Sequence, residues 1–383
     1  MAPGSMEMTD DLMAKLTDDI LADIISRVPY KSTCCCKCVS TRWRDLISHP
    51  DHRKKMPQSL TGFFYESYKS NRFPNIARHF TNVSGKTDPQ VDPSLSFLPK
   101  YESIEVLDCC HGLLRCRCWK PTDPKTMDYM VCNPATEKWV VVPATKWSSE
   151  VAVARLGFEP DVSSHFHVFE FVNASVLWEK FDQFVYANER CKEVWIYLSK
   201  TGIWSHKDVI PSTNVVVVPM DSSVFLRGTL YLSVLYALVI AIDFEGNDWR
   251  FIPTPVTPYE DDGIDDIYLS QGQLYFAHKG DSELSIWVLE DLTSEEEDWT
   301  LKHNVSCLEL FGELFPSIGN SYNTIAIHPE HNLIFIVCGY KKVLIAYDMD
   351  SRELRLICKL GWACTIPYIP YVPLFSKSLA DGN

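Results

Sequence analysis

The strongest constraint on this chain is a unit that returns every 45 to 65 residues from position 133 onward. Each copy is an apolar run, a tight polar turn and a second run opened by tryptophan. It reads Asn133 to Trp139, Ser199 to Trp204, Asp243 to Trp249 and Glu290 to Trp299, and Asp348 to Leu354 carries leucine in the tryptophan place. A glycine just ahead of an apolar run is a second mark: Gly112 before Leu113 and Leu114, Gly228 before Leu230 and Tyr231, Gly272 before Leu274 and Tyr275. Strong helical periodicity is missing after residue 60, whereas β-rich runs of strand length are frequent. A unit of a few short strands cannot bury its own two faces, so neighbouring units must cover them.

A period of about 50 residues with several strands per unit is expected of a β-propeller of the kelch kind. Five marked units, together with strands around Gly62 to Tyr65 and near Tyr368 to Phe375, favour six blades, the two chain ends sharing one. A seventh, irregular blade is the alternative, with room for it in 60–100 or 150–190. The repeated Trp, Gly and Tyr residues are read as packing residues and not as a ligand site. The longest apolar run, Leu230 to Ile242, is too short for a bilayer and reads as two adjacent strands.

The first fifty residues follow a different period. Leu16, Ile20, Leu21, Ile24, Ile25 and Val28 recur at helical spacing. Thr17 is placed to cap that helix, Asp18 and Asp19 suit its positive end, and Pro29 stops it. A short second helix fits about Ser32 to Val39. Ser40 then caps a third carrying Trp43, Leu46 and Ile47, which ends before Pro50. Three helices in so few residues cannot bury a self-sufficient core. Apolar positions nevertheless cover more than one face of the first helix, so the rest of the chain or another protein must cover the remainder.

Residues 16–50 resemble a plant F-box. The resemblance rests on Leu16, Asp18, Asp19, Arg27-Val28-Pro29, Lys31-Ser32, Cys38-Val39-Ser40, Trp43-Arg44 and Leu46-Ile47-Ser48 at the family's spacings. Two positions depart from it: Thr17 stands for the usual proline, and Cys34, Cys35 and Cys36 stand for larger apolar residues. Residues 107–143, Ile286 to Asp291, Trp299 to His303 and Pro370 to Ser376 resemble the F-box-associated β-domains that follow such modules. The resemblance implies a multi-domain chain, a small all-α three-helix F-box followed by an all-β propeller. The division is then a disordered start at 1–13, F-box at 14–50, linker at 51–59, propeller at 60–376 and a disordered tail at 377–383. It also implies that Leu16, Ile20, Leu21, Ile24, Val28, Pro29, Val39 and Trp43 meet a Skp-family adaptor. Smaller cysteine side chains there would weaken that contact by about 1–3 kcal/mol for each leucine-sized group lost.

Charge and motifs narrow the function further. The net charge is −14, which disfavours nucleic acid as a partner. No basic-then-apolar leader opens the chain, and a cytoplasmic or nuclear site with no membrane partner is expected. The 14 cysteines form no paired CxxC set. Cys109, Cys110, Cys116 and Cys118 alternate across strand faces and are expected not to converge. Phosphate-cradling loops, nucleophile elbows and zinc-helix motifs are missing. His328 and His331 flank a proline turn and are read as no site. No catalytic residue, cofactor or metal is therefore expected.

The leading function is the substrate-recognition subunit of a Skp–cullin–F-box ubiquitin ligase, non-catalytic, with cullin and a RING protein reached through the adaptor. A binding or inhibitory F-box module outside any ligase is the alternative, and a sugar-binding or enzymatic propeller is the third reading. Two acidic stretches, 260–266 and 295–298, read first as solvated loops. The sharper reading makes Tyr259, Asp261, Asp262, Asp265 and Asp266 a face for a basic segment of the target protein.

Overall fold

The computed structural model describes residues 16–28, 30–49, 52, 60–68, 76–85, 91–123, 126–146, 148, 153–173, 191–208, 215–217, 222–234, 238–256, 265–280, 282–292, 298–312, 321–375 and 379. The chain divides into two compact units, 1–58 and 59–383. The disordered start expected at 1–13 lies outside the described residues, as do Pro29 and Pro50.

The first unit holds α1 (Asp18–Ser26), α2 (Tyr30–Cys36) and α3 (Thr41–Ser48). Leu21, Ala22 and Ile25 of α1 pack against Leu46 and Ile47 of α3, with Leu16, Cys36 and Trp43 at the margin. Thr17 occupies the N-cap position of α1, but its hydroxyl makes no capping bond. Ser40 does cap α3, accepting from the Trp43 amide at 3.2 Å. Arg42 ties the helices together, donating to the Leu16 carbonyl at 2.6 Å and to the Asp18 carboxylate at 2.8 Å.

In the second unit β1 (Gly62–Tyr68) and β2 (Ile76–Asn82) come first. β3 (Ser103–Cys110), β4 (Leu113–Trp119), β5 (Met127–Asn133) and β6 (Lys138–Val142) make one antiparallel sheet. β7 (Val153–Gly157), β8 (His167–Asn173), β9 (Cys191–Leu198) and β10 (Ile203–Asp208) make the next. β11 (Ser223–Leu226), β12 (Thr229–Val234), β13 (Leu238–Asp243) and β14 (Trp249–Pro253) follow. Then come β15 (Asp266–Ser270), β16 (Gln273–Lys279), β17 (Glu283–Leu289) and β18 (Trp299–Ser306). A short helix, α4 (Cys307–Phe311), is capped by Ser306 and was not legible in the helical periodicity. β19 (Tyr322–Ile327), β20 (Leu333–Cys338), β21 (Val343–Asp348) and β22 (Leu354–Lys359) form the last four-stranded sheet.

β23 (Cys364–Tyr371) returns to the start of the unit and pairs antiparallel with β1, Gly62 opposite Tyr371 and Ser67 opposite Cys364. The first blade is therefore β2-β1-β23, and six sheets are present among the described residues. β23, β3, β7, β11, β15 and β19 each neighbour the next around a closed cycle, which makes them the innermost strands. The ring is a six-bladed β-propeller closed by the two ends of its own unit. The closing strand starts at Cys364, four residues before the run expected from Tyr368, because the chain re-enters the ring directly after β22. Residue 379 belongs to the expected tail, yet Leu379 is buried in the core with Leu374. The remaining tail positions 377, 378 and 380–383 lie outside the described residues.

The two ends of the ring differ. At one end β3–β4, β11–β12 and β15–β16 are joined by two-residue turns. Both central residues have positive φ: His111 and Gly112, Arg227 and Gly228, Gln271 and Gly272. This is the primed hairpin turn whose twist matches the strands, and it explains the glycine mark. The chain also enters at this end, at Gly62. At the other end the chain leaves β6, β8, β10, β14 and β18 and takes 10 to 17 residues to reach the next strand, which makes it the end of the long connections.

Candidate docking surfaces

In the helical unit the apolar residues divide by one helical step. Leu21 and Ile25 are fully buried, whereas Ile20 is 50% exposed and Ile24 46%. Ile20 and Ile24 are i,i+4 neighbours and share one face. Val39, just before α3, is 64% exposed. Of the residues expected to meet an adaptor, Ile20, Ile24 and Val39 are thus open. Leu21 belongs to the unit's own core, and Leu16, Val28 and Trp43 are half-buried at its margin. Pro29 lies outside the described residues.

The residues expected to receive a basic segment divide as well. Tyr259, Asp261 and Asp262 lie outside the described residues. Asp265 and Asp266 stand at the foot of that connection and are not free carboxylates. Asp265 accepts from His278 Nδ1 at 2.9 Å and its carbonyl accepts from the Ser233 hydroxyl at 2.8 Å. This hydrogen bond raises the His278 pKa above its ordinary value. Asp266 opens β15, and the Tyr268 hydroxyl donates to it at 3.3 Å. Burial is the main cause that pushes the Asp266 carboxyl up to about 7, and its hydrogen bonds from Ser222 and Tyr268 only partly offset this. The expected solvated cluster therefore fails for these two residues: His278 of β16 takes an Asp265 carboxylate oxygen, and Tyr268 of β15 and Ser222, just before β11, bond the Asp266 carboxyl.

Charge is also buried between blades, where sequence reasoning found nothing. Arg115 of β4 is 1% exposed and donates through Nη2 to the Ala154 carbonyl of β7. Glu170 of β8 is fully buried and accepts from the Ser148 hydroxyl at 2.6 Å and the Thr145 hydroxyl at 2.7 Å. Burial, the larger effect, raises the Glu170 pKa against those bonds. Asp108 Oδ2 accepts from the Leu156 amide at 2.7 Å. The Arg115 and Asp108 bonds tie β4 and β3 to β7 of the next blade, and the Glu170 bonds fasten β8 to the link between β6 and β7.

The cysteines of the second blade sit differently from the expectation. Cys110 alone packs toward the third blade, while Cys109, Cys116, Cys118 and Cys132 share one buried cluster. Burial pushes the Cys109 and Cys118 thiols far up, so they stay protonated and act as small apolar groups. Among the described residues no three His, Cys, Asp or Glu side chains are grouped to hold a metal. His328 is buried, its pKa lowered to about 4 by desolvation and then by His331 nearby.

Comparison with known proteins agrees with this architecture. Residues 13–55 match the F-box domain, and residues 92–364 match the family described as "F-box protein At3g26010-like, beta-propeller". The F-box protein At5g07610 of Arabidopsis thaliana is 24% identical, over 79% of this chain and 72% of its own length. The putative F-box/kelch-repeat protein At1g15680 of the same plant is 22% identical, over 90% and 84% respectively. Among solved structures, a DUF4623 family protein from Bacteroides eggerthii superposes with a TM-score of 0.39 at 12% identity, over 75% of this chain and 68% of that one. With an F-box at its start and the family's propeller over most of its length, the chain belongs to the At3g26010-like F-box proteins.

Proposed function

We propose that this chain is the substrate-recognition subunit of a Skp–cullin–F-box ubiquitin ligase. Helices α1–α3 form the three-helix docking module for a Skp-family adaptor, through which cullin and a RING protein are reached. The propeller holds the protein to be ubiquitinated. One observation carries the reading: Ile20, Ile24 and Val39 stay open on a small helical unit that already has a core. Covering three half-exposed aliphatic side chains contributes roughly 2–5 kcal/mol, enough to reward a partner. No covalent step is assigned to this chain. It acts by holding a target near the ubiquitin-carrying enzyme, a proximity effect.

The test is co-purification of the full chain with a Skp-family adaptor and cullin, with and without proteasome inhibition. Recovery of both, plus a propeller-bound protein that accumulates under inhibition, supports the reading. Adaptor without cullin would favour a binding module outside the ligase, and recovery of neither would contradict both.

A further inference from the structure

At the long-connection end, where the sixth blade meets the first, two turns and the end of β1 lie side by side. The Leu360 amide donates to the Lys342 carbonyl at 2.9 Å, which joins the β20–β21 turn to the β22–β23 link. The Tyr68 amide donates to the Ala363 carbonyl at 3.0 Å, which joins that link to the end of β1. Tyr68 in turn lies opposite Ile76 in the β1–β2 register. Along this seam the side chains are left open: Tyr340 is 86% exposed, Trp362 77%, Tyr68 52% and Ile76 49%. Tyr340 and Trp362 are the two most exposed large hydrophobic side chains among the described residues. Contiguous apolar exposure of this kind marks interaction sites on soluble proteins.

The charge around the seam runs against the rest of the molecule. The chain carries −14 overall, yet 338–344 and 357–368 contain Lys341, Lys342 and Lys359 and not one Asp or Glu. Lys341 and Lys359 are exposed, and Lys342 is half-buried. A basic spot with two open aromatic rings, on an otherwise acidic surface, attracts negative charge and anchors an apolar side chain. We propose that this seam docks an acidic segment of the target protein, one that sets an aromatic or aliphatic side chain among aspartates and glutamates. The proposal rests on the propeller being the target-holding part and names the chemistry it selects. Three lysines on so acidic a chain are too few to compete for a phosphate backbone, which disfavours nucleic acid as the occupant.

A library of random twelve-residue displayed peptides, selected against the full chain, tests this. The expected result is enrichment of acidic peptides with one aromatic or branched aliphatic anchor. Trp362→Ala with Tyr340→Ala should weaken the best peptide about tenfold or more, since exposed rings of this size dominate such contacts. Lys341→Glu with Lys359→Glu should do the same and turn the selection toward basic peptides. Every altered side chain is exposed, and an unchanged melting curve keeps the readout on binding. Enrichment of basic peptides, no enrichment, equal binding by the variants, or Trp362-dependent binding of polyuridylate would each overturn the proposal. Adaptor co-elution is measured on the same proteins. If it is lost, the ligase reading fails; if it is kept while peptide selection fails, only the docking seam does.

Discussion

The Asn133 carboxamide donates to the Leu374 carbonyl at 2.7 Å, across 241 residues of sequence. Asn133 opens the first of the repeated units, and its Oδ1 accepts from the Ala135 amide at 3.0 Å to form the turn. One residue therefore shapes a local turn and fastens the far end of the chain. On the other side of that end, a Cβ at Gly112 would come within 2.4 Å of the Val372 carbonyl. The turn before β4 must be bare for residues 372–374 to pass.

Asn133→Ala should destabilise the propeller by about 1–3 kcal/mol, because a buried carbonyl loses its donor. Gly112→Ala should cost at least as much, since it adds a backbone clash to an unfavourable positive φ of 85°. Chemical denaturation of both variants checks this, and a change within experimental error for Asn133→Ala would show that the tail is not clamped.

Ending the chain after Pro367 should open the ring. Tyr368 to Tyr371 would no longer cover Gly62 to Phe64, and the buried Phe63 and Phe64 would lose Tyr368 and Tyr371 as neighbours. An exposed β1 edge invites pairing with other chains. Light scattering should show aggregation; a soluble monomer with the full-length melting curve would argue against closure by the chain ends.

Asp266 gives stability a pH dependence of known sign. Its folded pKa of about 7 stands above the ordinary 3.8, so the folded state binds more protons between those values. Its contribution is then most favourable below pH 4 and is lost as pH rises through 7. Asp266→Asn should raise the melting temperature relative to the parent at pH 8, with the gap narrowing toward pH 4. Equal melting curves at pH 8 would mean that the carboxylate is not desolvated.

Much of the propeller was legible because its marks are local. Trp139, Trp204, Trp249, Trp299 and Leu354 all fall on the fourth strands, β6, β10, β14, β18 and β22. Trp204 and Trp299 donate to the carbonyls of Pro143 and Pro253 in the preceding blades, at 2.7 and 2.9 Å. The glycine mark held wherever a two-residue turn needs positive φ. It fails at 158–166 and at Pro329 to Asn332, where longer connections replace that turn. The fate of Asp265 and Asp266 could not be read, since Ser222, Ser233 and His278 come from other stretches of the chain. In the helical unit, spacing separated two apolar stripes on α1 but not which one the unit keeps for itself; that depends on where Leu46 and Ile47 of α3 fall. Trp362 carried a usable signal: a tryptophan outside the repeat, beside Gly361 in a turn, has little packing reason to be there.

Ile20 and Ile24, the open stripe of α1, are proposed to dock a Skp-family adaptor beside a core that Leu21 and Ile25 already fill. Titration of a purified Skp-family adaptor into the full chain, and into its Ile20→Asp, Ile24→Asp variant, tests this docking most directly. The two side chains are half-exposed, so the variant should keep its melting curve, while carboxylates buried at the contact without partners are prohibitive. A one-to-one complex is expected for the parent, with affinity lowered about a hundredfold or more for the variant. A parent chain that does not bind the adaptor, or a variant that binds it equally well, would show that this stripe is not an adaptor-docking surface.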